Sequence, residues 1–465
     1  MSKILEILSR HLPADVILSG KDINARYLSD FSGLQAQAPL AVVRPRTTQE
    51  ISSLLRLCNE NDQGVVPQGG MTGIVAGALP TAGTIALSLE RMSGIDEIDN
   101  KSATMTVQAG TPLSIIQAAA SNAGFLFPLD IGARDSCLIG GNVSTNAGGN
   151  RVVKYGMTRN LVLGMEVVLA DGTIISSLNK MIKNNSGYDL KQLFIGSEGT
   201  LGVVTRVVLK LSPRPLSKST ALCAMPDFDK TIALLRAANE SLPGGVSSFE
   251  VMWPSFYKIM TERVDYVTAP LPTDYPVYVI LECMGQNPEK DQQVFEAFLE
   301  DKFSDETIVD AVIAKSEAEI QSIWAVRDSV VEFTRLYPSY VGFDISVPIS
   351  DMEIFVNRVY TLLDQNWPQQ DKLFFGHIGD SNLHLIVDIT GLDPSPKKDI
   401  NDIVYAQVRE RNGAVSAEHG IGISKKEYLG YTVSVEEIKL MQTIKKALDP
   451  KGILNPGKIF DIADS

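Results

Sequence analysis

Histidine is the scarcest chemically versatile residue in this chain: it occurs 4 times in 465 residues, at His11, His377, His384 and His419. Three of these fall in two glycine-flanked motifs, FFGHIGDSNLHLIV (374–387) and VSAEHGIGISKKE (415–427). The first motif reads as strand, Gly-Asp-Ser-Asn turn, strand. With Asp380 and Ser381 as the turn residues, His377 and His384 lie directly opposite each other across a hairpin. Cross-strand neighbours have Cβ atoms about 5 Å apart, close enough for two imidazoles to share one metal ion. The second motif offers a third ligand of oxygen or nitrogen type, at Glu418 or His419. A lone opposed histidine pair is more often structural than metallic. The concentration of three of the four histidines in two such motifs favours a site.

Two glycine-rich stretches suggest a second kind of chemistry. Pro67-Gln68-Gly69-Gly70-Met71-Thr72-Gly73 follows the strand-like Val65 and Val66, and Gly140-Gly141-Asn142-Val143-Ser144-Thr145-Asn146-Ala147-Gly148-Gly149 comes some 60 residues later. Neither has the GxGxxG spacing of a dinucleotide-binding turn or the GxxxxGK[ST] of a P-loop. Glycines between β segments nevertheless let backbone N–H groups approach a pyrophosphate, because no Cβ intervenes. Glycine content alone leaves open that both are merely tight connections.

The elements that must carry these groups follow from pattern. Residues 39 to 110 read as strand, helix and three further strands. Thr47 and Glu50 have capping-box spacing ahead of Ile51, Leu54, Leu55 and Cys58. Thr111 to Asn122 reads as a second helix with Gly124 as its C′ residue. The second glycine stretch follows as a loop, and strand material then runs to Ser212 with a turn at Ala170-Asp171-Gly172. SPRPLSKS (212–219) is the clearest break in composition and marks a domain boundary. Beyond it, helices such as Asp229–Asn239, Glu289–Lys302 and Val356–Leu363 alternate with strands such as Val277–Leu281 and Leu373–Phe375. A helical stretch near 434–448 leads to Leu454-Asn455-Pro456-Gly457-Lys458.

Composition excludes several classes. At 465 residues, roughly 150 residues per domain gives two or three domains. Lys and Arg number 42 against 55 Asp and Glu, a net charge of −13, so a nucleic-acid partner is not expected. No apolar run approaches the roughly 20 residues of a membrane span. The four cysteines, Cys58, Cys137, Cys223 and Cys283, form no CxxC, which argues against a disulfide framework or an iron–sulfur cluster. The N-terminal MSKILEILSRHLP lacks the features of a signal or transit peptide; it reads as a short helix ended by Pro13, and a cytoplasmic location is expected.

The segments VVPQGGMTGIVAGA, PLDIGARDSCLIGGNVSTNAGG, GMEVVLADGTII and NNSGYDLKQLFIGSEGTLGVVT closely resemble the FAD-binding half of the vanillyl-alcohol oxidase / p-cresol methylhydroxylase (PCMH) superfamily. Within it they look most like the D-lactate and D-2-hydroxyglutarate dehydrogenase branch, over residues 39 to 460. The resemblance implies an α+β protein: a two-subdomain PCMH-type FAD-binding domain plus an α+β FAD-linked oxidase C-terminal domain that takes the substrate. The expected divisions are an N-terminal helical segment at 1–38, the FAD domain at 39–213, a substrate and metal domain at 214–424, and a segment returning to the FAD at 425–465.

Its implied flavin contacts are Pro67, Gln68, Gly69, Gly70, Met71, Thr72 and Gly73 on the first loop. On the second stretch they are Pro128, Asp130, Ile131, Gly132, Ser136, Gly140, Gly141, Asn142, Ser144, Thr145, Asn146, Gly148, Gly149, Tyr155 and Gly156. Glu198, Gly199, Gly202, Val203 and Asn455 are expected nearer the flavin ring. Some relatives attach FAD through His or Cys. No histidine lies between His11 and His377, and Cys137 reads as a small buried filler, so FAD is expected to be non-covalent.

The resemblance also implies that His377, His384 and Glu418 ligate a divalent metal, zinc, and that His419 is the general base. Two histidines and one carboxylate leave positions open for substrate. A 2-hydroxy acid would chelate the metal, lose its hydroxyl proton to His419, and pass the C2 hydride to flavin N5 to give the 2-oxo acid. Arg327, in IWAVRDSVVEFTRLYPSYVGFDIS, matches the residue that grips the substrate carboxylate, a task suited to its fork. In the D-2-hydroxyglutarate branch a Thr, a Lys and an Asn hold the distal carboxylate; here those positions are Val331, Gly342 and Ile386. A smaller or more apolar substrate is therefore expected, with Arg335 as a possible substitute anchor and Trp253, Phe256 and Tyr257 as core or pocket residues. Electrons would leave to an external acceptor such as an electron-transfer flavoprotein, a quinone or a cytochrome, and a homodimer is expected. Competing readings are a flavin-free zinc hydrolase, a non-catalytic flavoprotein subunit of a larger oxidase, and a D-2-hydroxyglutarate dehydrogenase with altered anchors.

Overall fold

A computed structural model describes residues 2–462. The chain divides into two compact units, one of residues 1–148, 156–214 and 418–465, the other of residues 149–155 and 215–417. The division after Arg214 falls inside SPRPLSKS, although Ser217 already opens the strand Ser217–Met225. The return to the first unit comes at Glu418, earlier than the expected 424/425. A short excursion, 149–155, goes with the second unit because Lys154 Nζ donates to the Met284 carbonyl at 3.0 Å.

The first unit holds two α+β layers. Its first sheet has the order Ile17–Leu18, Ala41–Val43, Ile85–Ser88, Val65–Gln68, with the last three strands parallel. These strands are buried throughout or nearly so, as parallel strands covered on both faces must be. The helix Thr48–Glu60 buries Ile51, Leu54, Leu55 and Cys58 and packs against the helix Lys3–His11 and the strand Val162–Val168. Its start departs from the expected capping box. Thr47 accepts from the Glu50 N–H, but the Glu50 carboxylate accepts from the Arg46 N–H rather than closing back on Thr47. Four strands rather than three follow this helix before residue 110. The second sheet is antiparallel, in the order Ile95–Asp99, Thr104–Gln108, Val203–Lys210, Val162–Val168, Ile174–Ser177. The expected turn at Ala170-Asp171-Gly172 closes its last hairpin, with Gly172 at φ +86°.

The second glycine stretch is not a loop. Ile139–Thr145 is a helix that ends on Asn146 in the left-handed region at φ +51°. Its Ser144 and Thr145 hydroxyls donate back to the carbonyls of Gly140 and Gly141, satisfying their own polarity inside the helix.

The closing segment is stitched into the first unit by a buried ion pair. Lys445, on the helix Val435–Leu448, is 4% exposed and sends Nζ to Asp449 at 2.5 Å, to the Thr200 carbonyl at 2.7 Å and to the Leu454 carbonyl at 2.8 Å. Asp449, fully buried, accepts in turn from the N–H groups of Ile453 and Leu454. Leu454 then bridges to Val65 beside the first sheet.

The second unit is built on one antiparallel seven-stranded sheet, in the order Asp310–Ile313, Ser217–Met225, Val277–Gly285, Val246–Met252, Lys372–Gly376, Asn382–Asp388, Tyr340–Ser346. Helices Pro254–Arg263 and Glu317–Asp328 bury one face of it through Phe256, Tyr257, Ile320 and Val326, against Tyr278, Leu373, Phe375 and Ile386. Phe256 and Tyr257 are thus core residues. Trp253 stacks on Phe228 with centroids 5.9 Å apart and packs on Phe374. No helix among the described residues is long and apolar enough to cross a membrane.

Replacing Lys445 by Met removes the cation and leaves Asp449 charged in the interior. We expect K445M to lose about 3–5 kcal/mol of stability. Much of that should return in K445M/D449N, as read from urea unfolding midpoints.

Candidate active site

Strand alternation puts the chemistry on one face of the seven-stranded sheet. Met252 pairs with Phe375, Phe375 with His384, His384 with Asp344, and Ile386 with both Leu373 and Gly342. Paired residues share a face, and so do residues two apart on a strand. Glu250, Met252, Phe375, His384, Ile386, Gly342 and Asp344 therefore look the same way.

His377 and His384 are not directly opposed as expected. Phe375 is the partner of His384, and the Asn382 N–H donates to the His377 carbonyl at 3.3 Å. The connection is longer than two residues: a 3-10 turn takes up Ile378–Asp380 and Ser381 adopts the left-handed conformation at φ +70°. The two rings still meet, edge to face, with centroids 5.5 Å apart and ring nitrogens within 4.8 Å. That spacing suits two nitrogens on one metal ion.

Arg327 is not a surface residue. It is 6% exposed, its Nε donates to Glu250 at 2.9 Å, and its guanidinium lies over Phe375 at 4.7 Å. Its Nη2 stands 3.5 Å from His377 Nε2. Glu250, fully buried, uses its other oxygen to accept from His377 Nδ1 at 2.5 Å. Burial alone would raise the Glu250 carboxyl, but the adjacent His377 and Arg327 outweigh it and hold it below the usual carboxylate range. Two strands away in sheet order from the hairpin, Glu282 is nearly as buried, and that burial raises its carboxyl; the hydrogen bonds from Trp324 Nε1 and the Thr220 hydroxyl, with the charges of Lys218 and Arg151, oppose the rise without cancelling it. Sequence reasoning missed Glu250. The available signal was an acid inside SSFEVM, a run with no room for an unpaired charge. Arg335 is exposed and pairs with Glu332.

Asp344 accepts from Asn382 Nδ2 at 3.3 Å and from the Ser416 hydroxyl at 3.1 Å, and its carbonyl accepts from the Ala417 N–H at 3.4 Å. The chain then passes to the first unit at Glu418. There the Glu198 carboxylate accepts from the N–H groups of Ile421 at 2.7 Å and Gly422 at 2.8 Å. Gly422 has φ +51°, and a Cβ on it would lie 2.1 Å from the Val75 carbonyl oxygen, so only glycine fits. Glu198 thus holds the chain two residues beyond His419. Burial raises the Glu198 carboxyl, opposed by those two amides and by Lys425 and Lys458.

Most of the expected flavin residues converge in the first unit. A Cβ on Gly69 would touch the Gly141 backbone, and one on Gly70 would lie 1.9 Å from the Ser136 carbonyl oxygen, so the first loop sits directly on the second stretch. Glu198 N–H donates to the Ser144 carbonyl, and Gly199 packs on Pro67. Asn455 Nδ2 donates to the carbonyls of Gly77 and Glu198. A cavity of about 390 Å³ borders Gly69, Gly70, Met71 and Ser136. Gly149 and Tyr155 instead belong to the second unit. The side-chain oxygens of Gln68, Asn142 and Asn455 are buried without a hydrogen-bond partner, which fits a polar cofactor that would satisfy them. Cys137 is buried, and burial raises its thiol.

Comparisons with known proteins agree with this architecture. Residues 39–177 match the FAD binding domain and residues 214–459 match the family of FAD linked oxidases, C-terminal domain. The chain is 37% identical over 459 residues to the mitochondrial D-2-hydroxyglutarate dehydrogenase of Bos taurus, covering 98% of this chain and 83% of that protein. It is 36% identical to a putative mitochondrial D-lactate dehydrogenase of Schizosaccharomyces pombe, over 94% of this chain and 84% of the other. With the D-2-hydroxyglutarate dehydrogenase of Stutzerimonas stutzeri (strain A1501) it shares 35% identity over 96% of both. Its fold is that of p-cresol methylhydroxylase solved with substrate bound, at a TM-score of 0.78 and 16% identity over 100% of this chain and 97% of the other. The chain is an FAD-linked oxidoreductase and belongs to the FAD-linked oxidase family, alongside relatives named as D-2-hydroxyglutarate and D-lactate dehydrogenases.

Proposed function

We propose that this protein oxidises a D-2-hydroxy acid to the 2-oxo acid, using a divalent metal, zinc, held by His377, His384 and Glu418. The observation that carries this reading is the meeting of the His377 and His384 rings on one sheet face, with the Arg327 guanidinium beside them. Glu418 supplies the oxygen ligand that completes a two-histidine, one-carboxylate set, the pattern of a metal site left open to substrate. Bound there, the metal would lower the pKa of the substrate hydroxyl. His419 takes that proton, as an imidazole can near neutral pH. Arg327 receives the substrate carboxylate. FAD held by the two glycine-rich segments of the first unit would supply the acceptor for the C2 hydride. Electrons then leave to an external carrier, an electron-transfer flavoprotein, a quinone or a cytochrome, and the protein works as a homodimer in the cytoplasm.

The tail of the substrate meets an apolar strip. Gly342 and Ile386 are direct cross-strand partners, and Ile386 is buried in the cluster that includes Phe375 and is bordered by Tyr340. Where the resembling dehydrogenases place Thr, Lys and Asn, this chain has Val331, Gly342 and Ile386. Val331 and Gly342 are exposed and Ile386 is buried; a second carboxylate set against Ile386 would meet no polar partner from any of the three, at a cost of several kcal/mol. The substrate is accordingly smaller or more apolar than D-2-hydroxyglutarate. The relatives' names favour the larger diacid as the second reading.

Three measurements test these statements. Glu418→Ala should remove bound zinc and turnover while the flavin spectrum stays; full activity in that variant overturns the mechanism. Acid precipitation should leave the yellow chromophore in the supernatant, since FAD is held without a covalent bond; a yellow pellet overturns that. Anaerobic bleaching of the flavin against D- and L-2-hydroxy acids should be faster with D-lactate or a branched apolar D-acid than with D-2-hydroxyglutarate. The reverse order would restore the diacid as substrate.

A further inference from the structure

We infer that Glu250 is a positioning residue for this site: one buried carboxylate fixes the His377 ring so that Nε2 is its ligand atom, and pins the Arg327 guanidinium beside that atom. The inference rests on the proposed metal-dependent reading and extends it to a residue that touches neither metal nor substrate.

Glu250 lies within the strand Val246–Met252, all seven residues of which are buried. An unpaired carboxylate there would cost several kcal/mol, so its partners are a requirement of folding. Those partners are His377 Nδ1 on one oxygen at 2.5 Å and Arg327 Nε on the other at 2.9 Å. An ionised carboxylate only accepts, so Nδ1 must carry the proton, and a neutral His377 then bears its lone pair on Nε2. Histidines that bind metals commonly donate their second N–H to a carboxylate in this way, which sets tautomer and ring orientation together. The Arg327 bond acts in parallel. With Nε tied to Glu250 and the guanidinium plane resting on Phe375, Nη2 is directed to the His377 Nε2 side, 3.5 Å away. Glu250 thus couples the placement of the metal-binding nitrogen to that of the carboxylate-gripping fork.

Glu282 is the internal control. It is a buried acid on the adjacent strand and the same sheet face, but it is bonded to Trp324 and Thr220 rather than to His377 or Arg327.

The experiment compares full-length, FAD-loaded wild type with Glu250→Gln, Glu250→Asp and Glu282→Gln. Zinc affinity is measured by chelator competition, and the histidine side chains are observed by ¹⁵N-histidine NMR of metal-stripped protein, which four histidines make tractable. FAD content and thermal midpoint report folding. E250Q should bind zinc about 10–100-fold more weakly and move the low-field Nδ1 proton of His377 upfield, because a neutral amide oxygen accepts more weakly than a carboxylate, while E282Q changes neither. If E250Q fails to fold, E250D, which keeps the charge but withdraws it by one methylene, should still show weakened zinc binding with wild-type FAD content. Unchanged zinc affinity in the folded variants overturns the inference, as does an Nδ1 proton shift unchanged in E250Q or an equal change in E282Q. A wild type that takes up no zinc would instead defeat the metal reading; the Nδ1 proton would still decide whether Glu250 sets the His377 tautomer.

Discussion

A negative charge fully buried in a central strand is the constraint around which the second unit is arranged. Glu250 can be tolerated only with cationic or strongly donating partners at short range. The sheet register brings the strand Lys372–Gly376, which leads into His377, next to it, and the helix Glu317–Asp328 presents Arg327 from outside the sheet. Phe375 fills the remaining side, under Arg327 and against His384 at a centroid distance of 5.0 Å. The chemistry-bearing residues are therefore held by packing and charge pairing rather than by loop flexibility, as precise sites require.

The first unit solves a different problem, how to fold glycine-rich backbone into one defined shape. It does so with carboxylates and amides aimed at the chain itself. Glu198 holds the amides after Gly420, Asn455 holds the Gly77 carbonyl, and Lys458 holds the carbonyls of Ala76 and Leu79. Lys458 is so enclosed that burial lowers it to about 8, although Asp30 and Glu198 pull it upward. Each of these side chains comes from far along the sequence and ends on a loop that has little side-chain mass of its own.

How much of this was legible in the sequence follows the range of the interactions. Amphipathic helices such as Phe228–Ser241 and the break inside SPRPLSKS were readable because their signals are local. The helical state of Ile139–Thr145 was not, because glycine-rich composition disfavours a helix and only packing on the first loop rescues it. The histidine pair was recognisable by type and spacing, yet its register was wrong, since turn length depends on whether Ser381 enters the left-handed region. Glu250 stayed hidden because its partners lie 77 and 127 residues away, beyond any periodicity. Arg327 was picked out by motif, while its buried ion pair came only with the fold.

The path of the chain has a consequence for assembly. Residues 215–417 are inserted in the sequence of the first unit and, with the excursion 149–155, make up the second; residues 418–465 return to the first. Leu454 and Asn455 dock on Val65, roughly the whole chain away in sequence. On a ribosome, where domains fold in the order they emerge, the inserted unit can finish before the unit whose sequence flanks it. The nucleotide-binding half is then the last to become complete, although it is the first to be made. Loss of a few dozen residues at the far end would leave the inserted unit whole and the flavin half open.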